Sequence, residues 1–215
     1  MKHGGATIKR LAMTLAGVSI CSFSVGMFNL AAFGVDPFQC FAQGSHLPFS
    51  NSLSYGTYYM MLSFAMLIWI WLWDKHYIGL ATFINLFLTG YIVELSYTFL
   101  AGIFTEPALP ARMLMLGSAV ILLSFGSALY YTADLGVSVY DAISLILAKK
   151  KVKIFNYTLP FKWIRVASDF VCVSAGAAFG KIPGIGTIIT AFFMGPLISF
   201  FNRRAAEPFL RGKGK

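Results

Sequence analysis

The stretch that decides the fold is AAFGVDPFQ at residues 31–39, and it returns as ADLGVSVYD at residues 133–141. Each copy ends a long apolar segment, passes a Gly-Val corner at Gly34 or Gly136, and opens what reads as a short helix. Glycine permits the sharp turn that such a corner needs. The recurrence predicts that the chain is built from two related halves.

Further pairs of positions extend the repeat on both sides of this stretch. Ser22-Phe23 recurs as Ser124-Phe125, at the same offset of 102 residues as the two glycines. The pattern Gly79-x-x-Thr82 recurs as Gly184-x-x-Thr187, at an offset of 105 residues. Each half therefore reads as a long span, a short helix and two further spans.

The solvent for most of the chain is predicted to be lipid. Of the 215 residues, 58% are hydrophobic and 12% are charged, and the mean hydropathy is +0.73. Soluble domains carry about 25% charged residues, and one of this length could not bury so much apolar surface. The net charge of +9 is explained better by basic cytoplasmic loops than by nucleic-acid binding, so no nucleic-acid partner is expected.

Six spans of roughly bilayer length can be placed in the chain. They cover residues 11–33, 54–73, 77–104, 112–132, 161–180 and 183–201, and the short helices cover residues 36–47 and 138–149. Residues 1–10 form the N-terminus, residues 11–104 and 105–201 form the two repeats, and residues 202–215 form a basic tail. The predicted fold class is an all-α, polytopic membrane protein with six transmembrane helices.

Three crossings in each half is an odd number, so the second half enters the membrane from the opposite side. This is an inverted-topology repeat, which many secondary transporters use, with the substrate site near the repeat interface at mid-membrane. With the N-terminus inside, fifteen of the 17 Lys and Arg residues lie on the cytoplasmic side, against Arg112 and Lys181 outside. The positive-inside rule therefore predicts that both termini are cytoplasmic.

Both short helices begin with capping signals. Asp36 is an N-cap acceptor followed by Pro37 at the first helical position and Gln39 at the capping-box position, and Ser138 and Asp141 repeat this arrangement. Asp36 and Asp141 are secondary candidates for a functional site, although the carboxylate of Asp36 lessens the case for an anionic ligand at its own helix. The pattern leaves two placements open, an amphipathic helix lying on each membrane face or a re-entrant helix.

Polar residues at membrane depth are the main candidates for a functional site. Asp169 lies about 10 Å into the fifth span at 1.5 Å per residue, and Arg165 four residues earlier offers an ion pair as the structural alternative. Four residues of the third and sixth spans could line a central polar path, or could form interhelical hydrogen bonds. These four are Thr82, Asn85, Thr187 and Thr190. Glu94, nearer the outer surface, is a further secondary candidate.

No catalytic set is apparent, because the chain has no Ser/His/Asp arrangement, HExxH, P-loop or dinucleotide fingerprint. The three cysteines contain no CxxC pair and the three histidines have no metal-ligand spacing. We therefore predict that the protein is not an enzyme, and that it has no cofactor and no metal site.

Several motifs follow one another along the chain: GVDPF at residues 34–38, YGT at 55–57, IGxxT at 78–82, DLGV at 134–137 and GIGT at 184–187. In these motifs the chain resembles the YczE/YitT group of bacterial integral membrane proteins, from about residue 11 to residue 201. It resembles the shorter YczE-like form, without the C-terminal soluble domain of the YitT branch. The resemblance implies a bacterial plasma-membrane protein, and it does not assign a function.

Two functions are consistent with these features. The first is a transporter or channel for an unidentified small solute, and the scarcity of buried charge favours a neutral, weakly polar or amphiphilic one. The alternative is a non-transporting partner or regulator of another membrane or biosynthetic complex. It would dock through the small-residue stripe Cys172-x3-Gly176-x3-Gly180 and the basic cytoplasmic face. The expected partners are the lipid bilayer, a small-molecule solute, and a second copy or another membrane protein.

Overall fold

The computed structural model describes residues 2–74, 77–149, 153–154, 157–158 and 161–211. Within these ranges the chain is helical except for its turns and one antiparallel pair of two-residue strands, β1 (Lys153–Ile154) and β2 (Tyr157–Thr158). The helices are α1 (Lys2–Ala31), α2 (Pro37–His46), α3 (Tyr55–Trp73), α4 (Leu80–Ile103), α5 (Leu109–Ala133), α6 (Val139–Lys149), α7 (Phe161–Ala178), α8 (Ile185–Phe201) and α9 (Glu207–Arg211), with a 3₁₀ turn at Leu47–Phe49 and a π-helical segment at Asn202–Ala206.

Among the described residues, five helices are long and apolar enough to cross a membrane. They cover Thr7–Ala31, Tyr55–Trp73, Leu80–Ile103, Leu109–Ala133 and Ile185–Leu210. The predicted span 161–180 corresponds to α7, an 18-residue helix that is not one of the five, because it carries Lys162, Arg165 and Asp169. The predicted all-helical membrane architecture is confirmed, whereas a sixth crossing stays a prediction.

The two corners end the helices before them at equivalent positions. α1 ends at Ala31 rather than at residue 33, because Ala32 and Gly34 have positive φ angles of 55° and 102°. α5 ends in the same way, with φ angles of 53° at Asp134 and 106° at Gly136. The left-handed region is costly for most residues and is incompatible with a continuing helix, so α1 and α5 both end at these corners.

α1 and α5 pack antiparallel at the centre of the fold. Arg112, near the start of α5, donates from Nε to the carbonyl of the last residue of α1, at 2.9 Å. Arg10, near the start of α1, pairs with Asp134 just after α5, at 3.6 Å. A Cβ added to Gly17 of α1 would lie 2.7 Å from the carbonyl oxygen of Gly126 in α5. The two backbones therefore approach more closely than larger side chains would allow.

Each corner docks on the start of a helix from the other half of the chain. The carbonyl of Phe33 accepts a hydrogen bond from the N–H of Gly186 in α8, at 2.7 Å, and that of Leu135 accepts one from the N–H of Ala81 in α4, at 2.9 Å. The residues before α4 and α8 are both glycine N-caps, and a Cβ on either would clash with the corner carbonyl. These N-caps are Gly79 and Gly184. The third span therefore starts after its N-cap rather than at residue 77.

The two short helices lie inside the protein. Eight of the ten residues of α2 are buried, Phe38 stacks on Tyr140 of α6, and Gly44 lies against Gly176 of α7. In α6, Ile146 is 1% exposed. An interfacial helix needs one face outside the protein, and the described residues of α2 do not form such a face. The burial of α2 therefore disfavours the interfacial placement, and the re-entrant placement stays a prediction.

The predicted basic tail begins as ordered helix. Ala206 is fully buried and packs with Met13 of α1 and Ala133 of α5, so the π-helical segment and α9 continue α8 along the protein. The predicted cytoplasmic placement of five further lysines concerns residues outside the described ranges. These are Lys75, Lys150, Lys151, Lys213 and Lys215.

Candidate functional site

A cavity of about 80 Å³ lies between the helices and is lined by residues from every helix from α1 to α8. Its wall carries hydroxyl, amide and carboxylate groups and one guanidinium, besides apolar side chains. The polar lining residues are Cys21, Ser22, Asp36, Gln39, Tyr59, Asn85, Thr89, Ser127, Tyr130, Tyr131, Ser138, Tyr140, Asp141 and Arg165. We refer to this space as the central cavity.

The short helices α2 and α6 both begin at the central cavity. Asp36 caps α2 and Ser138 caps α6, each by accepting a hydrogen bond at 3.2 Å from the backbone N–H of the third helical residue. The predicted N-caps Asp36 and Ser138 are therefore confirmed, whereas the side chain of Gln39, predicted at the capping-box position, accepts a hydrogen bond from Tyr55 instead. The rings of Phe38 and Tyr140 stack between the two helix starts, with centroids 4.9 Å apart and planes 10° apart. The N-terminal ends of the two helices thus meet at one place.

A buried ionic network joins α6 to α7 beside the cavity. Arg165 of α7 pairs with Asp141 of α6 and, through Nε at 3.5 Å, with Asp169 one turn along α7. Asp141 also accepts a hydrogen bond from Tyr130, and Asp169 accepts one from Tyr140. The guanidinium carbon of Arg165 lies 4.5 Å from the centre of the Tyr140 ring. One cation therefore serves two carboxylates, and the predicted Arg165–Asp169 pair is part of a larger network.

The two carboxylates at the helix starts have opposite electrostatic surroundings. Burial raises the pKa of Asp36 to about 6, more than its hydrogen bond from the backbone N–H of Gln39 lowers it. Burial alone would also raise the pKa of Asp141, but the charge of Arg165 and hydrogen bonds from Tyr130 and Arg165 hold it below its usual value. Asp141 is therefore a fixed anion, whereas Asp36 is the carboxylate that can take up a proton near neutral pH.

Asn85 of α4 presents an unused acceptor to the central cavity. Its Oδ1 atom is buried and has no hydrogen-bond partner among the described residues. Thr89, one turn further along α4, lines the same wall. A buried amide oxygen without a partner is costly, and such groups are often found where a ligand or an ordered water completes the bonding.

The three threonines of the predicted central site hold backbone groups and do not line the central cavity. Thr82 donates from Oγ1 to the carbonyl of Val137 at 2.7 Å, and so ties the start of α4 to the corner before α6. Thr187 accepts from the N–H of the α8 N-cap at 3.4 Å, and Thr190 donates to the carbonyl of Gly186 at 3.0 Å. The hydroxyls of Thr82 and Thr187 each accept from a free N–H at a helix start, and those of Thr82 and Thr190 donate to backbone carbonyls. Of the three, only Thr82 bonds to another segment, so the predicted alternative of interhelical hydrogen bonds does not describe Thr187 and Thr190, whose bonds stay within the start of α8.

The structure thus brings together only part of the predicted set. Asn85, Asp36 and Asp141 line the central cavity, and Asp169 reaches it through the hydroxyl of Tyr140. Glu94 lies elsewhere, in a second cavity. Two of the three predicted secondary candidates therefore belong to the central site, while most of the primary candidates do not.

The second cavity has a volume of about 230 Å³ and is lined by Glu94 and Lys181 among other residues. Tyr55 also lines it, and the Tyr55 hydroxyl donates a hydrogen bond to Oε1 of Gln39, which lines the central cavity. We call this space the peripheral cavity. The Tyr55–Gln39 hydrogen bond therefore links the lining of one cavity to the lining of the other.

The sequence reasoning missed the tyrosines of the central cavity. Tyr59, Tyr130, Tyr131 and Tyr140 line it, yet within apolar spans tyrosine reads as an aromatic anchor or as packing. One signal was available, because the Tyr130-Tyr131 pair lies close to the corner that ends α5. The link between Asp141 and Arg165 had no local signal, since the two residues belong to different helices.

Comparisons with known proteins show similarity to a family and to two relatives without an assigned function. Residues 8–203 match the model of DUF6198, a family of unknown function. An uncharacterized protein of Haemophilus influenzae is 24% identical over 91% of this chain and 84% of its own length. The uncharacterized membrane protein YczE of Bacillus subtilis is 21% identical over 90% and 85%. No solved structure matches. The resemblance to YczE-like proteins is confirmed, and with the five candidate spans it identifies a multi-pass integral membrane protein.

Proposed function

Because the chain belongs to the DUF6198 family, whose function is unknown, we propose from its geometry that it transports a small solute by alternating access. The observation that carries the proposal is the central cavity at the meeting point of two short helices. Discontinuous helices that begin at mid-membrane form the substrate sites of many secondary transporters. The protein acts without covalent chemistry in this proposal, since its cavity holds the solute only by reversible contacts.

Two inverted repeats are part of the proposal, and contacts between equivalent residues support them. A two-fold axis places residues near it against their own equivalents. Phe38 stacks on Tyr140, and the thiol of Cys21 donates to the carbonyl of Leu123 at 3.5 Å. Both pairs are separated by 102 residues, the offset of the two corners. The reciprocal hydrogen bonds from α8 to the first corner and from α4 to the second follow the same relation.

The sixth crossing in this proposal is α7. Its 18 residues extend about 27 Å at 1.5 Å per residue, close to the hydrocarbon thickness of about 30 Å. Arg165 and Asp169 are turned into the protein, where they pair with each other and with neighbours. On another face Phe170 is 72% exposed and Val171 is 64% exposed, as a helix facing lipid requires. The charge of α7 is therefore compatible with a membrane span.

The proposed orientation places both termini in the cytoplasm of a bacterial cell and the Lys181 loop outside, following the positive-inside count. The peripheral cavity, which contains Lys181, then opens towards the outside. The Tyr55–Gln39 hydrogen bond is the outer gate in this arrangement, and it is closed in the structure. Alternating access requires that this gate opens while the Arg165 network on the opposite side stays closed.

The other function considered, a non-transporting partner, receives less support. Its proposed docking surface included the small-residue stripe of α7. Gly176, at the centre of that stripe, already lies against Cys40 and Gly44 of α2. The stripe therefore packs within the chain and is not available to a second protein.

Thiol accessibility tests alternating access without knowledge of the solute. Cys21 lines the central cavity, and replacing Cys40 and Cys172 by alanine leaves it as the one thiol of the chain. A membrane-impermeant maleimide is applied to right-side-out and to inside-out vesicles. The variant that also carries Cys21→Ala controls for background labelling. A second control moves the thiol to Thr190, which is 2% exposed and does not line the central cavity.

The proposal predicts that Cys21 is labelled from both sides of the membrane and that a cysteine at position 190 is labelled from neither. Labelling of Cys21 from one side only would contradict alternating access. Labelling from neither side would contradict an opening of the central cavity to either face of the membrane. Uptake of a panel of radiolabelled solutes into proteoliposomes then identifies what is moved.

A further inference from the structure

We infer that the solute of the proposed transport cycle is a small alkylammonium ion, bound in the central cavity by Asp36 and Asn85 among aromatic rings. The inference rests on the proposed function for the transport step, but binding alone can be tested. It replaces the expectation of a neutral solute. That expectation depended on the scarcity of charge in the spans, whereas the fold brings four charged residues together at the central cavity: Asp36, Asp141, Arg165 and Asp169.

Charge is the first argument for a cation. Arg165 already serves Asp141 and Asp169, so the network carries one more negative than positive charge. Asp36 lines the same cavity, and none of the described cationic side chains lies within ion-pair distance of it. When ionised, Asp36 is therefore a carboxylate that lacks a cation of its own, and burial makes such a group costly unless a ligand pairs with it.

The two helix N-termini do not favour an anion here. A helix start attracts negative charge through its free N–H groups and dipole. In α2 the carboxylate of Asp36 already occupies that position. In α6 Ser138 caps the helix and donates to Asp141, which lies in the first turn. The groups that face the cavity at both helix starts are therefore the protein's own anions.

Hydrogen bonding is the second argument, and it favours a ligand with N–H donors. Asn85 offers its partnerless Oδ1 acceptor to the central cavity. An ammonium group can donate to this oxygen and pair with Asp36 at the same time, because it carries up to three donors. A quaternary ammonium ion has no N–H and would leave the amide oxygen unsatisfied. A primary ammonium is therefore preferred over a tetraalkylammonium.

Aromatic rings supply the third argument. Phe38, Tyr59 and Tyr140 line the cavity, and the rings of Phe38 and Tyr59 pack edge to face at 6.0 Å. Aromatic faces attract cations within about 6 Å of the ring centre, and Arg165 already uses the Tyr140 ring in this way, at 4.5 Å. One water needs about 10–15 Å³, and the volume of the cavity, about 80 Å³, is several times larger. Its size therefore limits the ligand to a few non-hydrogen atoms.

Binding of radiolabelled methylammonium to the purified full-length protein tests the inference at pH 7.5. Methanol, acetate and tetramethylammonium serve as competitors of different charge and bonding. The expected result is saturable binding that excess unlabelled methylammonium displaces, and that the three competitors displace at least about tenfold less well. Displacement by acetate or methanol as strong as that by methylammonium would overturn the inference.

Two variants and one control locate the site. Asp36→Asn keeps a good helix cap and is expected to weaken binding by about tenfold or more. Asn85→Leu removes a partnerless buried oxygen, so the fold should tolerate it, while binding should again weaken about tenfold. Asp134→Asn removes a carboxylate whose side chain is 85% exposed and should leave binding unchanged. Unchanged binding in Asp36→Asn, or in a folded Asn85→Leu protein, would overturn the inference.

Failure of the inference is distinguishable from failure of the proposed function. Methylammonium binding that depends on Asp36, with no uptake into proteoliposomes, supports the ligand class and contradicts transport. Labelling of Cys21 from both membrane faces, with no methylammonium binding, supports alternating access and contradicts the ligand class.

Discussion

Replacing Asn85 by leucine separates a functional role of this residue from a structural one. The Oδ1 atom of Asn85 is buried and without a partner among the described residues. Leaving a buried acceptor unsatisfied costs about 1–3 kcal/mol. Leucine has a similar shape and removes that cost, while other amide contacts worth about 1 kcal/mol can be lost. The free energy of unfolding is therefore expected to stay level or to rise by about 1 kcal/mol.

Binding should change in the opposite direction. A hydrogen bond to a charged group contributes about 1.5–3 kcal/mol, so methylammonium affinity should fall about 10-fold to 150-fold. Thermal unfolding in detergent and radioligand binding are measured on the same preparation. A residue that serves only packing would lose stability, and it would not lose affinity selectively.

Thr190→Val, in α8, is the matched control. The Thr190 hydroxyl donates to the carbonyls of Gly186 and Thr187 within α8, at 3.0 Å each, and does not line the central cavity. Its loss should lower stability by about 1 kcal/mol without changing affinity. If Asn85→Leu behaves like Thr190→Val, with lower stability and unchanged binding, Asn85 is structural and the reasoning is refuted.

Three further predictions follow from the same contacts. Arg165→Gln leaves two buried carboxylates without a cation and should lower the free energy of unfolding by about 3–5 kcal/mol, measured by thermal unfolding. Arg10→Gln removes an exposed pair and should lower it by at most about 1 kcal/mol. Equal losses in the two variants would refute this prediction. Since burial raises the pKa of Asp36 to about 6, methylammonium affinity should be level above about pH 7 and fall towards pH 5 as the carboxylate protonates; Asp36→Asn should remove this dependence, and a wild-type profile flat to pH 5 would contradict it. Gly184→Ala should destabilise by about 1–3 kcal/mol or more, because its Cβ clashes with the Phe33 carbonyl; Gly117→Ala, which meets open space, should be neutral or stabilising, and similar unfolding temperatures would show that the corner contact is unimportant.

The features that depend only on residues adjacent in the sequence were predictable. The corners at Gly34 and Gly136, the caps at Asp36 and Ser138, and the membrane-spanning lengths all follow from local rules of backbone geometry and hydropathy. These signals need only a few consecutive residues. They set where helices begin and end, so most helix bounds lie within a few residues of the predicted ones, but α1 begins at Lys2 rather than at residue 11.

The composition of the site was less predictable, because it depends on which helix faces which. In the sequence, the threonines at the starts of α4 and α8 look like polar residues free to line a cavity at membrane depth. In the structure, their hydroxyls form hydrogen bonds with backbone groups of the helix starts and of one corner. Asp141 meets Arg165 only because α6 packs on α7. The repeat did point to part of the site, because Asp36 and Asp141, at the starts of its two short helices, both line the central cavity.

The measurement that tests alternating access most directly compares Cys21 labelling from the two membrane faces in Tyr55→Phe and in the parent protein. The Tyr55 hydroxyl bond to Gln39 links the linings of the two cavities and is the outer gate in the proposed transport cycle. Removing a bond worth about 0.5–1.5 kcal/mol shifts a two-state equilibrium about 2-fold to 10-fold.

Our account predicts that labelling through the peripheral cavity becomes faster by this factor while labelling from the opposite face becomes slower. The opposite signs are essential, because a population moved to one state is lost from the other. Rates that rise on both faces would indicate a continuous channel. Rates that change on neither face would contradict the role of this hydrogen bond as a gate, and with it the proposed transport cycle.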